Sequence, residues 1–235
     1  MADRPIIFSA PMVRALLDGR KTQTRRVLCQ FDPDRDPPHA GPYIAGHRAA
    51  TWTDREGTPW RYPGAKGSAT GDRLWVRETW RPHYLGDGVW NLDVSYPADG
   101  ERRMICDGEF GDKDWNWPKA ADRGNVTPLH MPRWASRLTL TVTDVRVQRL
   151  QEISEADAVA EGIQRLIGSK GPNYFTREIS GKWSGSFNAP TAAEVYSDLW
   201  NSLHGPGAWD ANPWVVALTF TVQRGNIDQM PGVAG

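Results

Sequence analysis

Lys21 and Thr24 stand three residues apart in the densest polar stretch of the chain, Gly19-Arg20-Lys21-Thr22-Gln23-Thr24-Arg25-Arg26. Between Arg14 and Arg26 five basic residues face one acid, Asp18, in a chain whose formal net charge is zero. A lysine and a threonine at this spacing converge when the backbone is turn-like or helical. A threonine hydroxyl becomes a nucleophile once a base takes its proton, and a lysine crowded by other cations yields its own proton more readily. The same residues also suit a turn that binds an anion, because arginine forks and ammonium groups are the usual partners of phosphate. Spacing alone leaves both chemistries open.

An acid would complete either site, and two candidates stand out. In Leu74-Trp75-Val76-Arg77-Glu78-Thr79-Trp80, alternation puts Glu78 on the apolar face with Leu74, Val76 and Trp80, where a carboxylate needs a partner or a task. An inward arginine such as Arg26 or Arg133 would be its structural partner. Glu161 follows a helical stripe of Ala156, Val159, Ala160 and Ile163 and lies about 140° from its centre, so periodicity does not force it inward. Trp80, Trp134 and Trp214 flank these segments and offer faces on which a base can stack. Arg133, in His130-Met131-Pro132-Arg133-Trp134, is in reach of a phosphate. The five histidines show no metal-ligand spacing, and Asp32, Asp34 and Asp36 lack the glycine and closing glutamate of a calcium loop. No metal or nucleotide cofactor is implied.

The elements that must position these residues read as follows. A short helix spans Ser9 to Asp18 with Pro11 in its first turn, and Gly19 ends it in a left-handed conformation. Residues 30–70 are an insertion with a Trp-rich hairpin near Thr51 to Tyr62. Leu74 to Trp80 is a strand. The stretch 81–128 is irregular, with short strands at 89–95 and 101–106 and an aromatic loop at Asp114 to Pro118. Arg137 to Leu150 is the strongest strand, its apolar phase switching near Asp144, where a bulge or bend is expected. Ser154-Glu155-Ala156-Asp157 opens a helix running to Gly162. A flexible Gly/Ser insertion covers about 166–190. Thr191 to Glu194 starts a helix with Val195, Leu199, Trp200 and Leu203 inward, ended by Gly205-Pro206. Trp214 to Val222 is a final strand, and 224–235 reads as a disordered tail. Strands with about three helices at their ends make an α+β fold, a small curled sheet or barrel in one domain over 1–223.

Composition bounds the rest. The chain has 235 residues, enough for a full core, and a mean hydropathy of -0.58 with no long apolar run argues against a transmembrane segment. The apolar stretch in MADRPIIFSAP is too short for a signal peptide, so a cytoplasmic protein without a membrane partner is expected. Cys29 and Cys106 are the two cysteines, which argues against a disulfide framework. Zero net charge excludes a polycation that coats nucleic acid by counterion release alone. Of the 28 basic residues 22 are arginine, and tryptophan occurs 12 times.

Gly19-Arg20-Lys21-Thr22-Gln23-Thr24-Arg25-Arg26 resembles the G-x-K-x-x-T-x-R signature of ASCH domains, members of the PUA-like superfamily. The order of later segments is similar as well: Gly71 to Val76, the long strand into Ile153 to Gly162, and Asn212-Pro213-Trp214. The resemblance is to the longer phage or prophage versions and covers about 5–28, 70–80, 130–165 and 191–223. It implies a five- or six-stranded PUA-like β-barrel that binds RNA, DNA or nucleosides. A small bacterial branch removes the acyl group from N(4)-acetylcytidine. In that reading Lys21 takes a proton from Thr24, Thr24 attacks the acyl carbonyl and Glu161 protonates the leaving amine. Arg20, Arg25, Arg26, Glu78, Trp80, Arg133 and Trp214 would then line the substrate pocket. The alternatives are a non-catalytic reader of RNA or modified DNA, and a ribonuclease.

Overall fold

Proline early in the first helix and glycine just past its end set the entry to the basic turn. In the computed structural model, strand β1 (Asp3–Ile7) leads into helix α1 (Ala10–Leu17), which buries Val13, Ala15 and Leu16. Asp18 donates its N–H to the Arg14 carbonyl, and Gly19 follows at φ +70°, a conformation that costs glycine nothing. Strand β2 (Gln23–Val27) begins four residues later. The structure describes residues 2–27, 51–53, 59–61, 68–84, 92–105, 124–166, 171, 173–176 and 189–230. The expected aromatic loop at Asp114 to Pro118, most of 30–70 and both cysteines lie outside them.

Further along come β3 (Thr51–Thr53) and β4 (Pro59–Arg61), an antiparallel pair where the hairpin is expected. Strand β5 (Arg73–Arg77) follows, then the antiparallel meander β6 (Arg81–Tyr84), β7 (Leu92–Ser95) and β8 (Arg102–Ile105). The long strand β9 (Leu138–Arg149) runs unbroken through Asp144. Its buried positions change phase from Leu138, Leu140 and Val142 to Val145. Helix α2 (Glu155–Ala160) precedes the short pair β10 (Gln164–Arg165) and β11 (Tyr174–Phe175), and part of the expected flexible insertion is therefore paired strand. Helix α3 (Ala192–His204) and strand β12 (Trp214–Arg224) close the sequence of elements.

The fold is α+β. The main sheet has the order β1–β5–β9–β12–β2, with β1 parallel to β5 and β12 antiparallel to β2. With β1 and β2 at its edges, the sheet is not closed into a barrel among the described residues, unlike the expectation. No helix among them is long and apolar enough to cross a membrane.

The chain divides into two compact units, and β9 and β12 each pass from one to the other. The first unit comprises Met1–Ala2, Gly19–Asp72 and Thr141–Thr221. Its core joins Leu150, Ile153, Ala158 and Ile163 to the inner face of α3, Ala192, Val195, Tyr196, Leu199 and Trp200. Leu203, expected inward, is 47% exposed, because it sits in the last turn of α3, beyond the reach of that core. The second unit comprises Asp3–Asp18, Arg73–Leu140 and Val222–Gly235, with a core of Trp80, Val94, Tyr96, Val126, Met131 and Ala135. The tail expected to be disordered from 224 is ordered at its start. Asn226 Nδ2 donates to the carbonyls of Arg133, Trp134 and Ser136, and Ile227 is fully buried.

Gly19 is the one residue of the basic turn whose identity the backbone dictates. Among the described residues no atom beyond its chain neighbours lies within 4 Å of where its Cβ would stand, so Gly19→Ala meets the positive-φ penalty. A loss of about 1 kcal/mol in urea unfolding is expected, with Gly19→Asn losing less.

Candidate functional site

Helix α2 is one and a half turns long and ends on carbonyls that have no partner within the helix. The basic turn supplies donors for them. Thr22 N–H donates to the Ala160 carbonyl at 2.8 Å, Lys21 Nζ to the Glu161 carbonyl at 2.9 Å, and Arg20 Nη1 to the Gly162 carbonyl at 3.4 Å. Cations at this end also oppose the negative pole of the helix dipole. Gly162, at φ +111°, turns the chain away from the helix.

Side chains carry the contact further. Lys21 Nζ donates to Glu161 Oε2 at 2.7 Å, with the side chains 1% and 4% exposed. Glu161 Oε1 accepts from Arg25 Nη1 at 3.1 Å. Arg25 Nη2 donates to Asp157 Oδ2 at 3.1 Å, while its guanidinium lies 5.9 Å from the centre of the Tyr196 ring, within cation–π range. Asp157 Oδ1 accepts from Gln23 Nε2 at 3.0 Å and from Arg146 Nη2 at 2.9 Å. Gln23 completes the mesh, its carbonyl accepting from Arg25 Nη1 and its amide donating to Thr219 Oγ1. Three cations and two carboxylates thus form one connected network in the first unit.

Local structure explains the convergence. Gln23 and Arg25 are two apart on β2 and share a face, while Asp157 and Glu161 are four apart and share a face of α2 and its cap. Ser154 Oγ accepts the Asp157 N–H at 3.1 Å and fixes the start of that helix. The face that α2 buries carries Ala158 and Glu161, and Val159, expected in the apolar stripe, is 43% exposed. Two carboxylates with cationic partners outweigh the burial of one valine, because an unpaired buried charge costs several kcal/mol.

Thr24 is buried, but alternation along β2 puts it on the face opposite Gln23 and Arg25, and its backbone pairs with Leu218. Among the described hydrogen bonds none joins its hydroxyl to Lys21 or Glu161. Arg26 is half-buried. Burial pushes its guanidinium below the ordinary value, and the charges of Glu161 and Tyr196 act the other way. Trp214 is half-buried, with the Arg149 guanidinium 4.6 Å from its ring centre, so that face is occupied.

The remaining candidates belong to the second unit. Glu78 is buried, and its partner is Arg137 rather than Arg26 or Arg133, through Nε at 2.8 Å and Nη2 at 2.9 Å. Burial raises Glu78 above the usual carboxylate range, against the pull of Arg137. Arg137 also donates to Asp99 and Glu101 and packs over the Tyr96 ring at 4.1 Å. Trp80 is fully buried, edge-on to Trp134 at 5.7 Å, and is a core residue with no face open for stacking. Arg133 is held by Asp3 and Asp228.

The residues that sequence reasoning missed are Gln23, Arg146 and Asp157 in one unit, and Asp99, Glu101 and Arg137 in the other. One signal was available: carboxylates at Asp157 and Glu161 repel at helical spacing unless cations meet both.

Fold and site together define an α+β protein with a buried lysine–glutamate pair between a basic turn and the end of a short helix. No family model matches the chain, and neither a curated protein nor a solved structure matches it.

Asp157 gives a pH test. Burial acts to raise it, but hydrogen bonds from Arg146 and Gln23 and the charges of Arg146 and Arg25 prevail and hold it at about 2. A carboxylate depressed on folding contributes stability above its unfolded value, ~4, that is lost as pH falls through the folded value. Urea unfolding of the wild type should weaken more steeply than that of Asp157→Asn as pH drops from ~4 to ~2. Parallel curves would show that Asp157 carries no such linkage.

Proposed function

We infer that the chain is a long ASCH-type, PUA-like protein that binds RNA, DNA or a modified nucleoside through the basic turn at Gly19 to Arg26. The observation that carries this reading is the convergence of Lys21 and Arg25 on Glu161. These three lie in the two segments that resemble the ASCH signature, and the contact is buried and charged. A buried ion-pair network often adds little to stability over apolar side chains of similar volume, which supports a role in recognition or chemistry. Arg20 and Arg26 add positive charge in the same segment, the usual complement of a phosphate.

Hydrolysis of an N(4)-acylated cytosine is a second reading, favoured by the 2.7 Å bond between Lys21 Nζ and Glu161 Oε2. In their neutral forms the Lys21 amine and the Glu161 carboxylic acid are the base and the acid that acyl transfer requires. The amine would take the proton of the Thr24 hydroxyl as its oxygen bonds to the acyl carbon. Glu161 would return a proton to the departing cytosine amine, and water would then release the acid from Thr24. The placement of Thr24 on the other face of β2 supports binding ahead of hydrolysis.

Titration with single-stranded RNA, single-stranded DNA and N(4)-acetylcytidine at low salt tests the first reading. At least one should bind. For an oligonucleotide, affinity should fall with salt, and Arg26→Ala should reduce the salt slope by about one. No binding to any of the three would contradict it. Acetate release from N(4)-acetylcytidine that Lys21→Ala abolishes would establish the second reading, and an intact substrate with wild-type protein would end it.

A further inference from the structure

We propose that Asp157, held by Arg146, is a positioning residue that splits the Arg25 guanidinium between two carboxylates and so keeps one oxygen of Glu161 for Lys21. The proposal rests on the reading of Lys21 and Glu161 as the working pair of the site. Its starting point is a shortage of donors at one end of the network and a surplus at the other. Glu161 receives a single Arg25 hydrogen bond, at Oε1, although a guanidinium facing one carboxylate prefers two parallel bonds. Arg25 has the means to make the second, because its Nε is buried and without a hydrogen-bond partner among the described residues. A rotation that brought Nε and a terminal nitrogen side-on to Glu161 would satisfy that atom. It would also claim both carboxylate oxygens and displace Lys21 from Oε2.

Asp157 opposes that rotation by taking Arg25 Nη2 at 3.1 Å. Gln23 helps from the other side, accepting from Nη1 while its amide is tied to Asp157 and Thr219. Asp157 is itself kept in place by Arg146, whose two terminal nitrogens reach Oδ1 at 2.9 Å and Oδ2 at 3.4 Å. Every oxygen of the Asp157 carboxylate therefore has a donor from β9 and one from β2. The Asp157 backbone N–H bonds to Ser154 independently of the side chain, so an asparagine keeps the helix cap. Arg146 is 42% exposed and can be replaced with little effect on the core.

The Lys21 ammonium reports on the arrangement directly. Buried and bonded to Glu161, it should exchange its protons slowly with water and give a side-chain nitrogen–proton correlation in the 15N-labelled full chain, absent from Lys21→Arg. In Asp157→Asn and in Arg146→Gln that correlation should shift or vanish into fast exchange, while the backbone amide spectrum stays dispersed. A merely structural role for Asp157 would leave the ammonium signal where it is. An unmoved Lys21 signal in a folded Asp157→Asn protein overturns the proposal. If Asp157→Asn does not fold, the Arg146→Gln spectrum decides in the same way. Absence of the signal from the wild type overturns it too, since the pair it acts on would not exist. No nucleic acid or nucleoside enters the experiment, so failure of the functional reading shows separately, in the binding titration.

Discussion

An ammonium taken out of water needs a full opposite charge within hydrogen-bond reach, and the described part of the site follows from meeting that need at Lys21. Removing a lysine and a glutamate from solvent costs several kcal/mol per ion, and their mutual attraction offsets this only with good geometry and with every remaining lone pair satisfied. Glu161 meets these terms by giving Lys21 a side-chain oxygen and a backbone carbonyl. Its second oxygen then requires a donor of its own, which is Arg25. Arg25 brings a second positive charge, and Asp157 balances it. Arg146 and Gln23 in turn occupy the oxygens of Asp157. Each partner is a consequence of the one before it, ending where Arg146 reaches the surface.

The same need shapes the backbone. Helix α2 can stop after six residues because the basic turn receives its final carbonyls, and that turn follows a glycine at positive φ. The second unit meets a similar problem with the signs reversed: a buried Glu78 takes the Nε and Nη2 edge of one arginine, whose Nη1 serves Asp99 and Glu101. One cation among three carboxylates is a clasp for the loop between β7 and β8.

Much of the element order was legible, and the reasons are local. Pro11 and Gly19 bracket α1, Ser154 and Thr191 cap α2 and α3 with their hydroxyls, and alternation marks β9 and β12. The buried face of α2 was not legible. Hydrophobic periodicity favours Ala156 and Val159, whereas the chain turns Ala158 and Glu161 inward, because cations on β2 and β9 reward the carboxylates and periodicity does not register charges brought from distant segments. The family resemblance put Lys21 and Glu161 in one site, which the stripe did not, and it paired Lys21 with Thr24. The partner of Glu78 was misjudged for a related reason: Arg137 opens a strongly alternating strand, and alternation does not register a carboxylate brought from another segment. Sheet closure depends on which strands end at the edges, and alternation carries no information on that.

The coupling between Lys21 and Glu161 is the quantity on which these arguments depend, and a double-mutant cycle measures it. Unfolding free energies in urea at neutral pH would be compared for wild type, Lys21→Met, Glu161→Gln and the double variant. Glu161→Gln leaves the buried Lys21 ammonium without a carboxylate and should cost about 3–5 kcal/mol, and Lys21→Met, which leaves Glu161 its bond from Arg25, should cost less. The double variant should cost clearly less than the sum, with a coupling of at least about 2 kcal/mol. Single variants within about 1 kcal/mol of wild type that add without coupling would contradict a buried ion pair as the interaction that organises the site.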